Sequence, residues 1–132
     1  LVPEHRWRAR YEHIRNFERL LVDEGTTIVK LFLHLSKDEQ KARLQARLDD
    51  PTKNWKFSEG DLAERKMWDD YQAAYQDMVN RTSTGHAPWY VIPADDKWFR
   101  DRLVSQIMVE TLQGLDMSYP PAPEGLADIV IE

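Results

Sequence analysis

Two short runs of this chain read as strands, and sequence with helical periodicity lies before, between and after them. "TTIVKLFLHL", Thr26 to Leu35, and "WYVI", Trp89 to Ile92, are rich in β-branched and aromatic residues. The order is helix, strand, helix, helix, strand, helix. Strands separated by helices imply parallel pairing through crossovers, hence an α/β domain. Parallel strands are normally covered on both faces, so both runs are expected to be buried. Two strands alone do not make a stable parallel sheet. Such a chain either borrows strands from another chain or is the carboxyl half of a larger α/β domain. A start at Leu1 rather than at methionine leads to the second expectation.

Local chemistry marks the helix boundaries. Pro3 suits a first helical turn. Trp7, Tyr11, Ile14, Phe17 and Leu21 then recur at helical spacing until Gly25 stops the run. Ser36-Lys37-Asp38-Glu39 is a capping box. The helix it opens ends near Asp49, because Pro51 disfavours helix at the residue before it. Ser58-Glu59-Gly60-Asp61 is another N-terminal signal, and one long helix is expected from there to about Asn80. Met67, Tyr71, Ala74 and Met78 form its apolar stripe, with Trp68, Tyr75 and Val79 beside it. Asp95 or Asp96 caps a last helix that turns Phe99, Leu103, Ile107, Leu112 and Leu115 inward. The tail "SYPPAPEG" is proline-rich and expected to be extended, and "LADIVIE" either adds a short strand or packs loosely.

Composition removes several classes of function. A net charge of −5 argues against general nucleic-acid binding or a basic membrane surface, so any anion site must be local. There is no cysteine, which excludes disulfides, zinc–thiolate sites and thiol catalysis. No apolar run reaches membrane-spanning length. The sequence has no G-x-x-x-x-G-K-[ST], no G-x-G-x-x-G, no H-E-x-x-H and no strand ending in an aspartate placed for magnesium.

Within this acidic chain, five cations gather between Lys41 and Lys56, around the helix break at Asp50-Pro51. Arg43 and Arg47 are i and i+4 and share one helix face. Paired guanidinium forks suit phosphate oxygens, and Lys53 and Lys56 add point charges on either side of Trp55. Two readings stand open: a phosphate grip, or a solvated basic face paired with Asp38, Glu39, Asp49 or Asp50. Asp61, Arg65 and Asp69 form an i, i+4, i+8 stripe. It is either an intrahelical ion-pair ladder or a set of carboxylates that orient nearby cations or reach a metal-bound ligand, a role left open for Asp61. His34 sits near a strand's carboxyl end and is either a ligand contact or, as a lone histidine there more often is, a hydrogen-bonded core residue. Asp95 offers a nucleotide contact if Asp96 is the cap, and Trp55 anchors its loop or stacks on a base.

"FERLLVDEGTTIVKLFLHLSKDEQKARLQARLDDPTKNWKFSEGDLAERKMWDDY" and "APWYVIPADDKWFR" resemble the carboxyl half of the polyphosphate kinase 2 family, over about Val2 to Tyr119. "WKFS" and "VIPADDKWFR" look more like its polyphosphate:AMP/ADP phosphotransferase branch. The resemblance implies a P-loop kinase, with a thymidylate-kinase-like three-layer α/β/α fold, parallel strands and a helical lid. It implies phosphoryl transfer between inorganic polyphosphate and AMP, ADP or other nucleotides, with Mg2+; the expected setting is cytoplasmic, as a homo-oligomer with no nucleic-acid or membrane partner. Residues 1–119 would be the carboxyl-terminal part of the domain, with the lid at about 43–60, and residues 120–132 a tail. Arg43, Arg47, Lys53 and Lys56 match the lid cations, with Trp55, Asp61 and Asp95 as accessory residues. The family's Walker A loop, Walker B aspartate and magnesium ligands lie in the amino half. No complete catalytic set is therefore expected here, and the chain alone is expected to be inactive. The alternative is a non-catalytic module that binds polyphosphate or dimerises through its sheet edges.

Overall fold

The computed structural model describes residues 2–125, 129 and 131. The elements run α1 (Glu4–Asp23), β1 (Lys30–His34), α2 (Lys37–Asp49), a single 3-10 turn (Asn54–Lys56), α3 (Glu59–Lys66), α4 (Trp68–Thr82), β2 (Trp89–Pro93) and α5 (Lys97–Gly114). β1 and β2 pair in parallel, from Lys30 opposite Trp89 to His34 opposite Pro93. The ladder continues one step further, where the Ala94 N–H donates to the His34 carbonyl at 2.9 Å. α1 packs on α4, and α5 packs on β2.

Several boundaries follow from the sequence signals. α1 ends where Gly25 takes a left-handed φ of 89°, and the Thr26 N–H reaches back to the Leu21 carbonyl at 2.9 Å. Ser36 caps α2 by accepting the Glu39 N–H. The reciprocal half of the expected capping box is missing, because the Glu39 carboxylate turns to Arg43 instead. The full box forms at Ser58 and Asp61. Asp96, not Asp95, caps α5 through the Phe99 N–H.

Other expectations need correction. The first strand is half the length of the expected 26–35 run, because its ladder lasts only as long as the facing residues 89–93. The expected helix from 58 to 80 is two helices, broken at Met67, whose φ of −93° and ψ of 26° leave the helical basin. The strands are not buried on both faces: Val91 remains 53% exposed. Phe99 and Leu112 on α5, and Leu115 at its carboxyl cap, are exposed rather than inward. The buried apolar core among the described residues is confined to Ala87, Ile92 and Ala94. Residues 117–123 have no regular structure, as expected of the proline-rich tail. The "LADIVIE" expectation rests largely on residues outside those described.

The surface area quantifies this openness. The chain exposes 10723 Å², whereas a compact monomer of its mass would expose about 7,300 Å². Part of the excess belongs to the extended tail. Large apolar side chains on α1, on the sheet and on α5 are also exposed, among them Phe17 and Leu20. This unit therefore presents surface that a closed domain would bury.

A buried ion pair holds the layers together. The Lys30 ammonium donates to both Glu18 carboxylate oxygens at 2.9 and 2.8 Å and to the Thr82 carbonyl at 2.6 Å. Its three hydrogens thus meet three acceptors, on α1 and α4. The ammonium also lies 5.1 Å from the centre of the Trp89 ring. The Trp89 indole N–H donates to the Thr82 hydroxyl, which donates to the Met78 carbonyl. Lys30 and Glu18 side chains are only 10% and 11% exposed. Removing either partner alone strands a buried charge, so Lys30→Ala or Glu18→Ala should each cost about 3–5 kcal/mol, whereas Lys30→Met with Glu18→Leu should cost less than either. Urea unfolding measures this. Single-variant losses below about 1 kcal/mol, the range of an exposed pair, would show that the pair is not a structural strut.

Candidate functional site

The carboxyl end of β1 opens into a cleft of about 600 Å³. Its floor is Leu33 to Leu35, one wall is α2 and another is α3 with the start of α4. The cleft exists because Ser36 starts α2 directly after the strand, and the break at Met67 lets α3 and α4 approach at separate angles. Arg43 and Arg47 enter from α2, Asp61, Glu64 and Arg65 from α3, and Trp68, Tyr71 and Tyr75 from α4. The cleft thus has a cationic side and an aromatic side, where Tyr71 and Tyr75 lie 6.0 Å apart and Tyr75 lies 5.1 Å from Phe32. A second, smaller hollow borders it, between Phe32, Val91 and α4.

The three guanidinium groups differ in what already holds them. Arg43 donates through Nε to Glu39 at 2.8 Å, and through Nη2 to the carbonyls of Ala94 and Asp95 at 2.8 and 3.1 Å. Arg65 donates to the Lys37 carbonyl and to Gln40 Oε1, both at 2.7 Å, and lies over the Trp68 ring. Arg47 has the loosest partner, Asp61 at 4.0 Å, with both side chains about 40% exposed. An exposed pair at that distance holds weakly. Arg47 is therefore the cleft cation freest to take another anion.

The structure brings Arg43, Arg47 and Asp61 together and places Lys53, Lys56, Trp55 and Asp95 outside the cleft lining. Lys53 pairs with Asp50 at 2.5 Å. That bond, with the Thr52 hydroxyl and N–H, draws the Asp50 carboxyl from its ordinary 3.8 down to about 2. Lys56 lies 5.0 Å from the centre of the Trp55 ring, and that ring, 78% exposed, donates its N–H to the Thr52 carbonyl. Asp95 accepts the Ser36 N–H at 2.7 Å, and that bond holds its carboxyl below the usual range, helped by Arg43. His34 lines both hollows and is exposed, so it is not the buried core histidine that its position suggested.

The expected Asp61–Arg65–Asp69 ladder does not form. Arg65 crosses to α2, Asp61 closes the Ser58 capping box and faces Arg47, and Asp69 lies beyond the Met67 break. Arg65 and the aromatic wall are cleft residues that periodicity assigned elsewhere. The i+4 spacing gave Arg65 a local partner, and the tyrosines sat on an apolar stripe. Among the described residues no three His, Asp or Glu side chains converge as a metal site would need. No helix among them is long and apolar enough to cross a membrane.

Comparison with known proteins assigns the frame. A family model described as Polyphosphate kinase 2 matches residues 1–120. An AMP/ADP-polyphosphate phosphotransferase of Meiothermus ruber is 60% identical over 132 residues, covering 100% of this chain and 49% of that protein. An ADP-polyphosphate phosphotransferase of Rhodopseudomonas palustris is 55% identical over 114 residues, covering 86% of this chain and 39% of that protein. The crystal structure of polyphosphate kinase 2 from Arthrobacter aurescens superposes with a TM-score of 0.91 at 50% identity, over 95% of this chain and 45% of that one. The chain thus spans about half the length of these relatives, and its α/β architecture with a parallel strand pair is the corresponding part of the same P-loop kinase fold. On sequence and on structure alike, this chain belongs to the polyphosphate kinase 2 family.

Proposed function

We propose that this chain supplies the phosphate-gripping part of a polyphosphate-dependent nucleotide kinase, which moves phosphoryl groups between inorganic polyphosphate and nucleoside mono- or diphosphates. The observation that carries the reading is the cleft at the end of β1, into which Arg43 and Arg47 project from one face of α2. Open parallel sheets bind ligands at the carboxyl ends of their strands. Guanidinium forks match phosphate oxygens in shape and stay charged. Similarity to phosphotransferases named for AMP, ADP and polyphosphate supplies the substrate class.

Phosphoryl transfer between two phosphate groups breaks one P–O–P link and forms another. The protein's work is positioning and charge stabilisation. Arg47 exchanges Asp61 for a phosphate oxygen, at small cost because that pair is long and exposed. Arg43 keeps its hydrogen bonds to Glu39, Ala94 and Asp95 and turns Nη1 to the same anion. Residues of about 43–60 act as the lid. Its outer segment, with the 3-10 turn packed on α2, carries Lys53 and Lys56 over the bound phosphates. In doing so Lys53 leaves Asp50 and Lys56 leaves the Trp55 face, and water is excluded from the transferring group. Trp55 is then free to stack on a base. Magnesium, which the family likeness implies, is not fitted by the described residues, so none of them is assigned to it.

A second reading applies to the chain by itself. Its sequence encodes no G-x-x-x-x-G-K-[ST] phosphate cradle. That favours a module that binds polyphosphate without transferring phosphate. An assay of ATP formation from ADP and polyphosphate separates the two. Conversion by this chain alone would overturn the binding-only reading and leave the kinase reading.

Calorimetric titration with polyphosphate at low salt should show binding that weakens as salt is raised. Arg47→Ala should lower affinity roughly tenfold or more, the scale of a lost charge-assisted hydrogen bond, with unchanged thermal stability. Arg43→Ala should lower affinity and also cost about 1–3 kcal/mol of stability, because its partners are backbone carbonyls. Equal affinity in wild type and Arg47→Ala would sink the assignment of that residue. The Asp50–Lys53 pair has its own signature. Its carboxyl is depressed, so the pair is fully present above the ordinary 3.8 and is lost as pH falls toward about 2. Carbon-13 NMR should place the Asp50 midpoint near about 2 in wild type and move it up toward 3.8 in Lys53→Ala. An unmoved midpoint would show that Lys53 is not its partner.

A further inference from the structure

Adjacent aspartates follow β2, and the structure gives them different tasks. Asp96 caps α5, its own helix. Asp95 reaches across to the other strand's helix and accepts the Ser36 N–H, at the N-terminus of α2, at 2.7 Å. The backbone of the same connection is gripped a second time. Arg43 Nη2 donates to the Ala94 and Asp95 carbonyls at 2.8 and 3.1 Å, while the Ala94 N–H donates to the His34 carbonyl at 2.9 Å. Helix α2 is thereby tied to the β2–α5 connection at residues 36 and 43, about 10 Å apart along its axis. A helix held at two such points can neither swing nor rotate freely. Arg47 is the next turn along the same face, and it ends in the cleft against Asp61.

We infer that Asp95 is a positioning residue, which together with Arg43 fixes the axis and rotation of α2 so that the Arg47 guanidinium is presented to the cleft. The inference rests on the reading of Arg47 as a phosphate contact. Asp95 lies outside the cleft lining and touches no bound anion in this scheme. It acts through the Ser36 N–H, and a carboxylate beside a helix N-terminus gains from the helix dipole as well. The groups facing it are the Ser36 N–H, the Ser36 hydroxyl, Arg43 and His34, and all four favour its ionised form. The sequence reading offered Asp95 a nucleotide contact. Its place behind α2 gives it mechanical work instead.

The test compares two variants that remove the same charge. Asp95→Asn keeps an oxygen that accepts the Ser36 N–H, and Asp95→Ala does not. In the chain without added phosphate, the Arg47 Nε–H and α2 amide NMR signals should shift in Asp95→Ala and stay near wild type in Asp95→Asn. With inorganic tripolyphosphate as probe, Asp95→Ala should weaken binding by about tenfold and Asp95→Asn by no more than about twofold. Asp95→Ala combined with Arg47→Ala should bind no more weakly than Arg47→Ala alone, because the two changes remove one contact. Unmoved Arg47 signals in Asp95→Ala would overturn the inference, as would additive losses or equal losses in the two Asp95 variants. Absence of tripolyphosphate binding by the wild type would overturn the reading of Arg47, and the NMR comparison would still decide whether Asp95 sets its position.

Discussion

One buried ammonium joins both strands of this fold to two of its helices. Lys30 lies in the middle of an apolar strand run, where a charge is expensive, and the cost is offset because three acceptors surround it. Glu18 brings α1, the Thr82 carbonyl brings the end of α4, and the Trp89 ring brings the neighbouring strand. With so few fully buried apolar residues among those described, hydrophobic burial alone supplies little specificity. The ion pair links α1 and the end of α4 to the strand pair, and α4 in turn carries the aromatic wall of the cleft.

The opposite end of the strands uses the same economy of parts. One aspartate starts α5, its neighbour steadies the start of α2, and Arg43 ties that helix to the neighbouring connection. A cleft for phosphate needs cations that are held by their stems and free at their tips. Committed donors on Arg43 and Arg65 make a stiff frame, and the loosely held Arg47 is the part of it able to change partner. The lysines at 53 and 56 sit on partners within their own segment, so charge and mobility are divided between helix and loop.

Much of this was legible residue by residue. Parallel pairing followed from helices between strands, the stops at Gly25 and Asp50-Pro51 followed from backbone chemistry, and the Arg43–Arg47 pair followed from i+4 spacing. The misses share a cause. Periodicity shows which residues lie on one face, but not what that face meets. Arg65 had a plausible local partner in Asp61 and found a distant one in Gln40. Phe99 and Leu112 belong to an apolar stripe and still face outward. Nor could propensity find the end of β1, since a strand stops where its partner stops.

The sequence by itself determined the α/β order, the helix ends, the kinship of the chain and the local gathering of cations on an acidic protein. These depend on neighbours along the chain, where spacing and side-chain chemistry act directly. Only the tertiary structure decided which cations share a cleft, that Arg43 is tied down while Arg47 is not, and that Asp95 serves a helix 59 residues away in sequence. Those outcomes depend on hydrogen bonds between segments that meet only when the two strands pair, and no local pattern records a partner that the chain reaches by folding.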